Sequence, residues 1–234
     1  MRVLVVTNLY PQPRAPLQGI YVSDQVEALR RLGHDVDLIF VDGIASRWNY
    51  ATGFFRFWGR LLRRRYDVIH AHYVYSGVIA RAQLGTPVVV TSHGSDTLGL
   101  EGGLLRALRP LVAAVTITSR QNQERSGLRG TDLLPCGVDL ELFRPYDRAD
   151  ACRKLGWDPS RRCLLYVGRD VPTKRLDIVR AAHRLVKKRF PNADLELATE
   201  VDHDLVPWLM SAADVFVFPS ETEGAPVVIK EALA

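Results

Sequence analysis

The chain has 234 residues, 47% of them hydrophobic and 24% charged, with a formal net charge of +5. That length suits one large α/β domain or two small ones, and no run approaches the ~20 uninterrupted apolar residues of a membrane span. Cys136, Cys152 and Cys163 show no CxxC spacing, so neither a disulfide framework nor a zinc site is indicated.

The first strand, 3–7, follows directly on Met1-Arg2 and is too short for a signal-peptide core, so the chain reads as cytoplasmic. A proline-rich loop, 11–19, ends at Gly19, where the backbone can come close to a ligand. It is not GxGxxG and does not point to NAD or FAD. A helix at 20–32 stops at Gly33-His34, and a second strand follows at 36–41. Across 52–65, Phe54, Phe57, Trp58, Leu61 and Leu62 recur at helical spacing while Arg56, Arg60, Arg63 and Arg64 take the other face. Two readings stay open for this helix: it packs on the sheet with a solvated arginine face, or it lies on an anionic membrane surface.

Further strands are expected at 67–70, 87–91, 114–118 and 132–134. His70-Ala71-His72 puts two imidazoles on one face of an extended chain, for packing and loop hydrogen bonds rather than metal, since no third ligand stands at suitable spacing. Thr91-Ser92-His93-Gly94-Ser95-Asp96 follows a strand and presents His93 either to a ligand or to nearby backbone. A break falls around 135–159, marked by Pro135-Cys136-Gly137 and Asp158-Pro159. Beyond it come strand 163–167, helix 174–189, strand 195–198, helix 205–212 and strand 215–218. The alternation predicts parallel sheets covered on both faces, with an N-terminal unit at 1–145, a linker at 146–160 and a second unit at 161–234. That second unit breaks off within a helix at Ala234 and reads as part of a larger domain.

Two motifs carry chemistry. At the end of strand 163–167, Gly168-Arg169 leads to Lys174, where ligands bind in open α/β sheets; two cations there suit a diphosphate, or form a solvated charge pair. Glu223 and Glu231 flank the entry of a helix expected to open with Gly224-Ala225-Pro226. Its unpaired amides attract phosphate, and the two carboxylates stand about 12 Å apart if the whole run is helical. The positive charge, almost all arginine, suits anionic partners, and no motif points to nucleic acid.

On these residues the chain resembles the GT-B glycosyltransferases, and within them glycosyltransferase family 4, of the kind that builds cell-envelope polysaccharides. The pair Glu223/Glu231 matches the family's acidic signature, Val167-Gly168-Arg169 through Lys174 its phosphate loop, and Leu134 through Pro145 its interdomain segment. The resemblance implies two Rossmann-like domains facing a cleft, the second incomplete. It implies a retaining, metal-independent hexosyltransferase with no cofactor beyond a nucleoside-diphosphate sugar. The acceptor would be a carbohydrate or lipid-linked hydroxyl, and the enzyme would be peripheral on the inner face of the plasma membrane.

By position, Glu231 would hold the ribose, Glu223 the donor sugar, Arg169 and Lys174 the leaving diphosphate, and His93 the reacting centre. Gly19, Gly168, Gly224 and Ala225 would line the donor site. Cys136 stands where asparagine is usual, Arg175 where glycine is common, and the stretch 198–204 is short. Two rival readings are a non-catalytic GT-B fragment that binds a nucleotide or sugar, and a nucleotide-sugar epimerase, against which the phosphate loop argues.

Overall fold

The computed structural model describes residues 1–43, 45–221 and 223–234; Ile44 and Thr222, the latter inside the acidic run, lie outside the described residues. The chain divides into two units. Unit 1 comprises residues 1–11 and 18–137, and unit 2 residues 12–17 and 138–234.

Unit 1 carries β1 (Arg2–Thr7), α1 (Ile20–Arg31), β2 (Asp35–Phe40), α2 (Trp48–Arg63), β3 (Val68–His72), α3 (Val74–Ala80), β4 (Val88–Ser92), α4 (Gly99–Leu108), β5 (Ala114–Ile117), α5 (Arg120–Ser126) and β6 (Asp132–Leu133). The six strands are parallel, in the order β2-β1-β3-β4-β5-β6. Alternate residues of β1 point to opposite faces. Leu4 and Val6 join a core with Phe57, Ile69, Val90 and Leu105, whereas Val3 and Val5 join Val22 and Val26 of α1. Apolar residues on both faces are what a sheet covered on both sides requires. The strand order reverses between β1 and β3, which makes their carboxyl ends the expected ligand crevice of this unit.

Unit 2 carries α6 (Arg148–Leu155), β7 (Arg162–Val167), α7 (Leu176–Arg189), β8 (Ala193–Ala198), α8 (Val206–Ala212), β9 (Val215–Phe216) and α9 (Val227–Leu233). Its three parallel strands run β8-β7-β9. Leu165 and Val167 of β7 pack with Val206 and Leu209 of α8, while Tyr166 packs with Leu176 and Val179 of α7.

Three sequence expectations are corrected here. The linker at 146–160 is not a linker: Asp147 caps α6 by accepting from the Asp150 amide at 3.1 Å, and Ala151 and Cys152 are buried against Ala212. The unit boundary therefore falls at 137/138 rather than 145. The apolar face expected for α2 turns inward only in part: Phe57 is buried but Leu62 is exposed. Arg56, Arg60 and Arg63 are exposed as expected, Arg60 and Arg64 pairing with Asp37, Arg64 also with Asp35, and Arg56 donating to the Phe40 carbonyl. Finally, α9 begins at Val227 with Pro226 extended at its cap, so 224–226 are not helical and the 12 Å axial spacing does not apply.

Candidate functional site

In unit 2 the site grows from the carboxyl end of β7. Gly168 has φ 147, and a Cβ there would lie 2.9 Å from Tyr166 Oη; that hydroxyl donates to the Arg169 carbonyl at 3.1 Å and pins the turn. The chain then makes a short 3-10 turn over Pro172–Lys174, not the start of the helix as expected. Arg175 follows at φ 56 in the left-handed region, where glycine fits without cost. Its guanidinium is paired with Asp177 at 3.0 Å.

This turn aims Lys174 at the acidic run. Lys174 Nζ lies 2.5 Å from Glu223 Oε1 and 5.1 Å from the centre of the Phe218 ring. Ser220 Oγ donates to the same Glu223 oxygen at 2.5 Å, and the Glu221 amide donates to the Thr173 carbonyl at 3.0 Å. The Lys174 and Glu223 side chains are only 20% and 23% exposed, so this is a largely desolvated ion pair rather than a rim contact. Burial, with Glu223 and Asp170 nearby, pushes the Tyr166 hydroxyl up to about 12.

Arg169 is exposed at the same strand end, with no hydrogen bond or ion pair to its guanidinium among the described residues. Glu231 lies elsewhere. It is buried in the second turn of α9, 2.9 Å from His203 Nε2, and the His203 ring packs 5.1 Å from Phe143. Lys174 and Glu223 are thus brought together, whereas Glu231 belongs to a second pair. His203, Ser220, Phe218 and Tyr166 escaped sequence reasoning; the only signal was their position at strand ends or in the short 198–204 loop. Gly224 and Ala225 lie in the non-helical stretch before Pro226.

In unit 1 the register of β1, β3, β4 and β5 places Thr7, His70, His72, Thr91 and Thr116 on the α1 face, at positions that would otherwise be apolar. His70 Nε2 lies 2.7 Å from Thr91 Oγ1, which is 2.7 Å from Thr116 Oγ1. His72 Nδ1 lies 3.0 Å from His93 Nε2, and His72 Nε2 is buried with no hydrogen-bond partner among the described residues. The expectation of a freely exposed His93 is corrected: it is half-buried, its ring 4.6 Å from Tyr21 and 4.8 Å from Tyr73.

The Tyr21 and Tyr73 hydroxyls bond each other, and Tyr73 holds φ 70, a strained value for a non-glycine residue. Asp96 fixes the turn after β4 by accepting from Ser92 Oγ (2.7 Å), the His93 amide (3.2 Å) and the Val74 amide (3.1 Å). Burial lowers His70 to about 4 and His93 to about 3, and holds His72 well below the usual imidazole range.

At Gly19, φ 69, a Cβ would sit 2.5 Å from the Leu9 carbonyl carbon, so the glycine is required by its own loop. Among the described residues, no group of three or more His, Cys, Asp or Glu side chains is arranged to hold a metal ion.

Two parallel-sheet units with polar clusters at their strand ends define a class. Similar solved structures include sucrose-phosphate synthase from Thermosynechococcus elongatus, with TM-score 0.79 and 21% identity, covering 100% of this chain and 79% of that one. Another is Anabaena HepE in complex with UDP and glucose, with TM-score 0.67 and 16% identity, covering 100% and 78%. The fold is GT-B.

The sequence profile of Glycosyltransferase Family 4 matches residues 18–142, more than half of the chain, and the chain belongs to that family. It is 23% identical over 306 residues to the Bacillus subtilis protein TuaC, named for teichuronic acid biosynthesis, covering 100% of this chain and 79% of TuaC. It is 30% identical over 222 residues to D-inositol 3-phosphate glycosyltransferase of Pseudarthrobacter chlorophenolicus, covering 73% of this chain and 53% of that protein. The match thus spans about half of that relative's length.

Proposed function

We propose that the protein is a retaining glycosyltransferase that moves a hexose from a nucleoside-diphosphate sugar to an acceptor hydroxyl, without a metal, in cell-envelope polysaccharide or glycolipid synthesis. The observation that carries this reading is the desolvated Lys174–Glu223 pair beside Gly168 and Arg169 in a chain of this family. Without an anion, the ammonium and carboxylate neutralise each other. A diphosphate carries more charge than one carboxylate and competes for Lys174; Glu223, once released, accepts hydrogen bonds from sugar hydroxyls. Arg169 adds a bidentate fork at the same strand end.

As the bond from the sugar to the diphosphate breaks, negative charge grows on the leaving oxygen. Fixed cations aimed at it lower the barrier by roughly 2.7–4 kcal/mol each, the range for one such donor. The acceptor hydroxyl attacks from the leaving-group side, its oxygen bonds to the sugar carbon, and its proton passes to an oxygen of the departing diphosphate. The complex of HepE with UDP and glucose supports the donor class, and the name of TuaC supports the envelope setting.

In unit 1 the tautomers follow from the orphaned nitrogen. If His93 donated to His72, a buried N–H on His72 Nε2 would lack an acceptor; if His72 donates, only a lone pair is unmet, and orphaned N–H groups are the rarer case. His93 then carries its proton on Nδ1 and serves as a neutral donor toward a sugar hydroxyl. The test is a transfer assay with UDP-, GDP- and ADP-sugars on the parent and on K174A and R169A. The reading expects kcat to fall about 10²–10³-fold in each variant; unchanged turnover would remove these residues from the reaction.

A further inference from the structure

The structure assigns an interaction surface to α2: we propose that its outward face lies on a bilayer containing anionic phospholipid. The helix is anchored by Phe57, fully buried, with Gly53 on the same side. Trp48, Phe55 and Leu62 are spaced by seven residues and therefore share one line along the helix. They are 82%, 73% and 83% exposed. Trp58, on the same flank, is more than a third exposed. A helix that needed only to cover the sheet would carry polar residues there. Next to the line, an apolar groove of about 500 Å³ runs along Phe54, Tyr50, Val78 and Leu111 and widens the apolar surface.

Charge selects the occupant. From Gly43 to Tyr66 the chain has six arginines (Arg47, Arg56, Arg60, Arg63, Arg64, Arg65) and no acidic residue. Of these arginines, Asp35 and Asp37 of β2 pair with Arg60 and Arg64, and Arg63 and Arg65 stand exposed. Arg56, Arg60, Arg63 and Arg64 line a depression of about 680 Å³ whose apolar wall is Phe55 and Ile39. Aromatic residues on the outward line with arginines along one edge are the make-up of a helix lying in the headgroup region. There the rings enter the acyl boundary while the guanidiniums reach lipid phosphates. The sequence left two readings for this helix, a solvated arginine face or one on anionic lipid; in the structure the line Trp48, Phe55 and Leu62 is outermost, so that it inserts and the exposed arginines flank it. Among the described residues no helix is long and apolar enough to cross a membrane, so the contact is with the surface.

Flotation with phosphatidylcholine vesicles, with and without phosphatidylglycerol, tests this and needs neither donor nor acceptor, so it can fail independently of the transfer assay. The protein should float with the phosphatidylglycerol vesicles only, less so as salt rises. W48S/F55S/L62S changes exposed side chains, so its thermal melt should match the parent while vesicle affinity falls at least about tenfold. R63S/R65S should lose about fivefold per arginine, and K187S/K188S, on α7 in unit 2, should bind as the parent does. The proposal is overturned if the triple variant floats like the parent, or if phosphatidylglycerol makes no difference. It is also overturned if the K187S/K188S change costs as much as R63S/R65S, or if the triple change merely dissolves a dimer of a protein that ignores vesicles.

Discussion

The polar clusters of the two units are built on opposite electrostatic terms. Unit 1 gathers three buried or half-buried imidazoles, two tyrosines and a threonine pair, hydrogen-bonded in small groups, with burial pushing His70 and His93 far below 6.5. Unit 2 keeps the opposite charges of Lys174 and Glu223 in contact beside an exposed arginine, and sets His203 at hydrogen-bond distance from Glu231. A neutral network in low dielectric gives directional hydrogen bonds with no net field, which suits hydroxyl-rich ligands. A desolvated ion pair suits a ligand that can replace one partner with a stronger charge. On the function proposed above, sugar hydroxyls are read by geometry in unit 1 and the diphosphate by charge in unit 2.

The comparison breaks most visibly on charge removal. K174A should lower kcat about 10²–10³-fold, and E223Q should affect sugar transfer more than diphosphate binding, since Glu223 is released when the diphosphate arrives. Equal losses of both functions in E223Q would mean that the carboxylate only braces Lys174.

The next effect is on stability in acid and belongs to unit 1. Unfolded histidine takes a proton below about pH 6.5, while folded His70 and His93 resist until about 4 and 3. The unfolded state therefore binds more protons in this window, so stability is full above pH 6.5 and falls as pH drops toward 4. The loss is up to about 1.4 kcal/mol per unit for each buried imidazole. Urea melts across this range should show the slope, and H70Q should make it shallower; a flat profile would mean that these rings are not held neutral.

The smallest effect concerns Arg175. R175G relieves the left-handed backbone but adds freedom to the unfolded chain and loses the Asp177 pair, so stability should change by no more than about 1 kcal/mol. R175V, branched at Cβ, should cost more than R175G in the same melts, and the reverse order would contradict the backbone account.

Much of this was legible in the chain. The strands were placed to within a few residues because fully buried parallel strands are runs of Val, Ile and Leu, as in Val3–Val6 and Val88–Val90. Four short helices were not: α3, α4, α5 and α6 have ten residues or fewer, and α4 carries Gly99, Gly102 and Gly103. For α6 the signal was present in Asp147 as cap and Gly156 as stop, but Pro145 and Pro159 on either side made the stretch look like a hinge. The site residues were identified more reliably than their partners. Lys174 and Glu223 are 49 positions apart, and His203 and Glu231 are 28 apart; no local spacing encodes such pairings. For α2 the periodicity placed Phe57 inward and Arg56, Arg60 and Arg63 outward, as observed, but grouped Leu62 with the inward face although it is exposed. The partners of Arg60 and Arg64, Asp35 and Asp37, sit on a different element.

The central claim is that the charge of a nucleoside diphosphate is met by Lys174 and Arg169. Calorimetric titration of UDP and of uridine into the parent, K174M and R169M tests it most directly. The account predicts that UDP affinity falls at least about tenfold in each variant while uridine binds all three proteins alike. Equal affinity of the parent and both variants for UDP would contradict it.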